Sequence, residues 1–234
     1  MNTFFHFPPT PYLAWLGGGD VPRDDKLLSP IEASALLAGE VVVEEKLDGA
    51  NLGFSLGPNG VLRAQSRGQY LVAPHTGQFA RLPAWLAQHG DALCAVLTSD
   101  RMLFGEWCAA RHSLDYSALP DWFLLFDVYE RDARRFWSAA RRNTLAGEVG
   151  LVVVPQIFRG HTTLAELERM MMHTPSRYRA GLALEGVVVR RESPDGCEAR
   201  AKLVRPDFTQ SISTHWRHRV LQWNRITKGD AATA

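Results

Sequence analysis

Residues 52–66 constrain the fold more than any other stretch of the chain. The apolar runs Leu52 to Leu56 and Val61 to Ser66 flank Gly57-Pro58-Asn59-Gly60, whose Asn-Gly step supplies the positive φ of a hairpin turn. A hairpin commits its neighbourhood to antiparallel pairing. Further runs rich in Val, Leu and Phe have the length of strands: Val41 to Lys46, Met102 to Trp107, Phe123 to Tyr129, Leu184 to Arg190 and Ala199 to Val204. Helical signals fall between them. Ser29-Pro30-Ile31-Glu32 joins an N-cap residue to a proline at the first helical position. Ser138 opens a stretch to about Glu148, and Thr163 with Glu166 forms a capping box ahead of Leu167, Met170 and Met171. Ile212, Trp216, Val220 and Trp223 recur at helical spacing and predict a last helix over about 211–225. The mixture defines an α+β class, with antiparallel sheets flanked by helices.

A chain of 234 residues with 46% apolar and 22% charged side chains can bury one sizeable core. Neither repeats nor a low-complexity linker divide it. The expected organisation is an extended Pro- and Gly-rich lead-in over 1–25, a principal domain over 26–208, and a helix with a frayed tail over 209–234. No run of about 18 apolar residues occurs, and Phe4-Phe5-His6-Phe7-Pro8-Pro9 lacks the basic lead of a signal peptide, so the expected location is the cytoplasm. Cys94, Cys108 and Cys197 have no CxxC spacing and read as packing residues. A net charge of +1 gives no support to holding nucleic acid by overall electrostatics, while a local basic groove stays open. Arg131, Arg134, Arg135, Arg141 and Arg142 form one basic cluster, and Arg217, Arg219, Arg225 and Lys228 another. Each reads equally as a solvated helix face.

The chemistry centres on Glu44-Glu45-Lys46-Leu47-Asp48-Gly49-Ala50-Asn51. A strand ending at Lys46 holds its amine firmly, and Gly49 in the following turn lets backbone come close to a ligand. A lysine nucleophile must be deprotonated, and cationic neighbours or a metal favour that form. By itself Lys-x-Asp-Gly is a short pattern whose plain alternative is an exposed lysine before a turn.

More ordered patterns follow downstream. They are Gln65-Ser66-Arg67-Gly68, Phe104-Gly105-Glu106-Trp107, Leu125-Phe126-Asp127-Val128, Leu184-Glu185-Gly186-Val187-Val188-Val189-Arg190 and Arg200-Ala201-Lys202-Leu203-Val204-Arg205-Pro206-Asp207-Phe208. Together with the lysine turn they resemble, in order, the motifs of the covalent nucleotidyltransferases: DNA ligases, RNA ligases and mRNA capping enzymes. Asn51, the segments Phe104 to Tyr116 and Leu119 to Asp132, and Lys202-Leu203-Val204-Arg205-Pro206 are similar to ATP-dependent RNA ligases of the bacteriophage and bacterial type. The resemblance runs from about Pro11 to Phe208.

It implies a nucleotidyltransferase (ATP-grasp-like ligase adenylation) domain and a set of roles. Lys46 would attack the α-phosphate of ATP, with Arg200 and Lys202, alternating on one strand face, beside that phosphate. Arg67 would grip the ribose or a phosphate, Glu106 the ribose hydroxyls, and Phe126 would stack on adenine. Asn51 matches a position of the nucleotide site, and Glu44 or Glu45 would accept from the adenine amine. Glu185, with Asp48 and Asp127, would hold Mg²⁺ or Mn²⁺, although Asp48 can instead organise its own turn. His75, His112 and His173 have no ligand spacing and read as ordinary histidines.

Two departures matter. Only residues 209–234 follow Phe208, too few for the oligonucleotide-binding barrel of larger ligases, and Arg200 stands where lysine is common. The expected function is ATP-dependent RNA ligation through lysyl-AMP, joining RNA 3′-hydroxyl and 5′-phosphate ends in RNA repair. An end-healing kinase or phosphatase is the expected companion. The rivals are a DNA ligase and a catalytically silent nucleic-acid-binding module.

Overall fold

The structure is a computed structural model that describes residues 4–18, 26–211 and 220–227, with backbone only for 209–211. Its strands are β1 (Val41–Lys46), β2 (Ala50–Leu56), β3 (Leu62–Gln65), β4 (Arg101–Trp107), β5 (Phe123–Glu130), β6 (Arg135–Phe136), β7 (Gln156–Gly160), β8 (Gly186–Glu192) and β9 (Cys197–Val204). The helices are α1 (Pro30–Leu37), α2 (Leu82–Val96), α3 (Ala139–Glu148), α4 (Leu164–His173) and α5 (Pro206–Ser211). The strands form one antiparallel sheet in the order β3-β2-β4-β5-β6-β9-β8-β1-β7.

The sheet has two halves joined by a narrow waist. β6 is two residues long and meets β9 through one pair, Phe136 with Cys197. On one side, β2, β4 and β5 bury Phe54, Trp107 and Phe123 against Leu82, Trp85 and Leu93 of α2. On the other, Val41, Val43, Val187, Val189 and Leu203 pack on Leu36 of α1 and Leu167 and Met171 of α4. β1 lies between β8 and β7, and Val41, Val42 and Val43 are all buried, which is why its sequence is a continuous apolar run.

Local signals build these elements as read. Ser29–Glu32 and Thr163–Glu166 are full capping boxes, and the Ser138 side chain caps α3. Each cap contributes about 1 kcal/mol. The β2–β3 turn uses positive φ at Gly60 (72°) but not at Asn59, so the glycine alone supplies the bend. Two strands and two helices, α2 and the short α5, have no sequence forecast. β6 is too short for any periodicity, and β7 is an edge strand with Arg159 in it. α2 opens at Arg81 without a side-chain cap and carries Gly90 in its interior.

Both ends differ from expectation. Residues 4–18 are not a loose lead-in: Tyr12 bridges Lys202 and Leu27, and Phe7, Tyr12 and Leu13 are buried. Of the predicted helix over 211–225, residues 212–219 lie outside the described residues, as do Arg217, Arg219 and Lys228 of the second basic cluster. Residues 220–227 run extended, with bridges from Trp223 to Ala110 and from Ile226 to Leu119. There, backbone bonds to the 108–119 loop replace helical ones. Among the described residues no helix is long and apolar enough to cross a membrane.

Candidate active site

Strand register assembles the site. Lys46 of β1 faces Gly186 of β8, Glu44 faces Val188, Val188 faces Lys202 of β9, and Arg190 faces Arg200. Directly paired residues share a sheet face, so Lys46, Glu44, Val188, Arg190, Arg200 and Lys202 all project to one side. That side floors a cleft of about 1110 Å³, lined by every residue assigned a role in the nucleotide site from the sequence. A cleft of this size holds a nucleotide. Gly186 has a steric reason to be glycine, because a Cβ there would sit 2.3 Å from the Leu203 carbonyl oxygen.

At Lys46 the chain leaves one half of the sheet, and at Ala50 it enters the other. Gly49 lies so close to β4 that a Cβ would come 2.5 Å from the Trp107 carbonyl oxygen, and its N–H donates to Glu106 Oε1 at 2.9 Å. Asp48 Oδ2 accepts from the N–H groups of Ser113 and Leu114, both at 2.7 Å, and the Asp48 N–H donates to Tyr116 Oη at 2.7 Å. Asp48 thus fastens the turn to the 108–119 loop.

The Lys46 ammonium lies 2.5 Å from Glu185 Oε1. Burial pushes its pKa down, but the charges of Glu185 and Glu106 outweigh that and leave it above the ordinary lysine value. Burial in turn pushes Glu185 up to about 8 and Glu106 up to about 7, against the pull of Lys46. One ammonium serves several carboxylates here, so the cluster keeps protons into the neutral range.

A second charge cluster is closed. Arg142 binds Glu44 at 2.6 Å, Arg190 binds Asp127 at 2.7 Å and Glu192 at 2.7 Å, and Arg200 binds the other oxygen of Asp127. Glu44, Asp127, Arg142 and Arg190 are buried. Two sequence expectations change as a result. Asp127 has both carboxylate oxygens on guanidinium groups, so a metal there would compete with two ion pairs, and Glu44 faces Arg142 and Arg190, which compete with a base for it. Arg200 is tied to Asp127 and stacked over Phe7 and Phe136, at 4.7 and 4.2 Å, so it is a fixed cation.

Three buried oxygens in the cleft have spare capacity among the described residues. Glu45 accepts from the Arg177 N–H at 3.0 Å, while its Oε1 is buried with no hydrogen-bond partner among the described residues. Asn51 Oδ1 and Glu185 Oε2 are in the same condition. Phe126 reaches the cleft, Arg67 stands exposed at its edge, and the Lys202 ammonium lies 4.0 Å from the centre of the Tyr12 ring. No group of three His, Cys, Asp or Glu that could hold a metal occurs among the described residues. Glu185 Oε2 still fits a hard cation, whose remaining ligands would be phosphate oxygens and water.

Sequence reasoning missed several cleft residues. Tyr12 and Phe7 belong to the supposed lead-in, and only the alternation of aromatics there hinted at a buried strand. His112, read as an ordinary histidine, lines the cleft with its ring nitrogen 2.7 Å from Gln78 Oε1. Tyr116, which lies behind the cleft, ends the segment Phe104 to Tyr116 that carries the resemblance, but the sequence reading assigns it no role.

An antiparallel sheet that presents a strand-end lysine, two strand-borne cations and spare carboxylate oxygens to a nucleotide-sized cleft defines a ligase-type nucleotidyltransferase fold. The chain belongs to the RNA ligase family, whose model matches residues 39–204. Among solved structures, Naegleria gruberi RNA ligase with PPi superposes with a TM-score of 0.61 at 17% identity, covering 90% of this chain and 64% of that one. A mutant of the same ligase with ATP and Mn gives 0.59 at 16% identity over 77% of this chain and 54% of that one. Another, with AMP and Mn, gives 0.57 at 16% identity over 89% and 64%. This chain therefore spans less than two thirds of the length of the structures it resembles. No curated protein sequence matches it significantly.

Proposed function

We propose that this chain is an ATP-dependent RNA ligase that carries AMP on Lys46, with residues 26–208 as its adenylation domain. The observation that carries the reading is the set of buried, unpartnered oxygens around Lys46, namely Glu45 Oε1, Asn51 Oδ1 and Glu185 Oε2. A buried acceptor without a donor costs about 1–3 kcal/mol, and native folds retain such atoms where a ligand satisfies them. Glu45 rather than Glu44 is the carboxylate able to accept from the adenine amine. Phe126 supplies an apolar face for the base, and Arg67 and Glu106 stand at the sugar side.

Lys46 must shed its proton to attack the α-phosphorus, where a phosphoramidate bond to its Nζ replaces the bond to the departing pyrophosphate. Its pairing with Glu185 holds that proton until the carboxylate's charge is drawn elsewhere. Glu185 Oε2 would hold a divalent cation, which would draw on that carboxylate's charge and screen the phosphates. Lys202 and Arg200 stabilise charge developing on the phosphoryl oxygens from fixed positions. AMP then passes to an RNA 5′-phosphate, and a 3′-hydroxyl displaces it. Such ends are the products of kinase and phosphatase end healing, and a cytoplasmic setting supplies them.

Labelled ATP with Mg²⁺ or Mn²⁺ tests the reading. The wild-type chain should form an acid-labile AMP adduct, and Lys46→Ala should lower its yield at least about 10³-fold. Adduct in Lys46→Ala at the wild-type level sinks the mechanism. Sealing of all-DNA nicks with no activity on RNA ends sinks the substrate.

A further inference from the structure

We propose that Asn224 is a positioning residue for Lys46, acting through Tyr116 and Asp48 from a part of the chain beyond residue 204, where the family match ends. Asn224 is 4% exposed, although it sits in an extended stretch with no helix or named strand around it. Every polar atom of its side chain is used. Oδ1 accepts from the Tyr116 N–H at 2.9 Å, and Nδ2 donates to the carbonyls of Cys108 at 2.8 Å and Ala110 at 3.3 Å. Its own N–H donates to the Ala109 carbonyl at 3.0 Å, and the next residue's N–H to the Tyr116 carbonyl at 2.9 Å. An amide used on both sides fixes a loop in a way that a carboxylate or hydroxyl cannot copy, because it donates two N–H groups and accepts through a separate oxygen, while a hydroxyl has one donor and a carboxylate none.

The loop it fixes is the one that holds the lysine turn. Tyr116 is 1% exposed, and its hydroxyl accepts the Asp48 N–H, while Asp48 Oδ2 receives the Ser113 and Leu114 N–H groups. Leu47, between Lys46 and Asp48, packs in the same cluster as Cys108 and Tyr116. The connection from Asn224 to the turn that follows the nucleophile is thus a short chain of hydrogen bonds, buried at Asn224 and partly buried at Asp48, and not a general effect of packing. A strand-end amine misplaced by a fraction of an ångström loses rate without losing nucleotide contacts made elsewhere in the cleft. The inference deepens the ligase reading and rests on it for its kinetic consequence.

The test uses the full chain with labelled ATP and Mn²⁺, comparing wild type, Asn224→Ala, Tyr116→Phe and the double variant. Asn224→Ala should form adduct at least about tenfold more slowly at saturating ATP, with KM for ATP within about threefold of wild type. The double variant should be within about twofold of the slower single variant, because both changes cut one pathway. A folded Asn224→Ala with wild-type rate, a defect confined to KM, or multiplicative single effects would overturn the proposal. If Asn224→Ala does not fold, Tyr116→Phe decides: it must show the same loss of rate at near-constant KM, and wild-type kinetics in it overturn the proposal. Amide hydrogen exchange gives a readout independent of activity. Asp48, Ser113 and Leu114 should exchange at least about tenfold faster in Asn224→Ala while β8 and β9 stay protected, and unchanged Asp48 exchange overturns the link. No adduct in wild type would defeat the ligase reading alone and leave exchange to judge the positioning.

Discussion

The carboxylates of Asp127 and Glu44 and those of Glu185 and Glu106 border one cleft, yet the first two are matched by guanidinium groups while the second two share a single ammonium. Arg142, Arg190 and Arg200 bring fork-shaped donors to Glu44 and Asp127, and they join α3, β1, β5, β8 and β9 across the waist of the sheet. Lys46 brings one compact charge to a pocket where Glu185 and Glu106 are pushed to about 8 and 7 and Glu185 Oε2 has no partner among the described residues. Charge balance separates the two. A saturated cluster holds structure, and an unsaturated one is poised to receive something.

Breaking the saturated cluster should have the largest effect, and on stability. Arg190→Met leaves the Asp127 carboxylate with Arg200 alone, and should cost about 3–5 kcal/mol in denaturant unfolding. Adduct formation per folded molecule should change by less than about fivefold, since no group facing the α-phosphate is removed. A variant as stable as wild type but without adduct formation would reverse the assignment of the two clusters.

Glu185→Gln strikes the unsaturated cluster and should show the opposite profile. Its maximal adduct rate should fall about 100-fold. Without the carboxylate that holds the Lys46 proton, the pH of half-maximal rate should move to lower values. A pH–rate curve that keeps its midpoint would mean that Glu185 does not control the lysine proton.

The smallest effect is a pH dependence of stability. Glu106 and Glu185 have folded-state pKa values above the ordinary 4.5, so their favourable contribution is complete below about pH 4.5 and fades as pH rises through about 7 and 8. The Tm of wild type should therefore decline between about pH 5 and pH 8, and Glu106→Gln should lessen that decline by a few degrees. An unaltered decline would place the titrating group elsewhere.

What could be read from the sequence was local in origin. The lysine turn, the hairpin at Gly60, both capping boxes and all the longer strands depend on residues within a few positions of one another. What escaped depends on distant partners. Nothing near Asp127 shows that Arg190 and Arg200 will take both its oxygens, and nothing near Glu44 announces Arg142. Asn224 looked like part of an amphipathic helix because Val220 and Trp223 have the right spacing, yet Val220 is 88% exposed and the segment lies flat on the 108–119 loop. Periodicity records which residues are apolar, not which loop waits to bond the backbone. The lead-in was misjudged for a related reason: prolines exclude a helix, but they do not exclude an extended strap against a sheet.

Gly186 carries a consequence for anyone surveying variants of this protein. It stands opposite Lys46 on β8, and any side chain there meets the backbone of Leu203 and Val204. Substitution would part β8 from β9 before it altered the lysine's surroundings, and a partly unfolded enzyme is removed in cells before it can be assayed. A growth screen would score position 186 as essential for catalysis, when what had been lost was the quantity of protein in the cell.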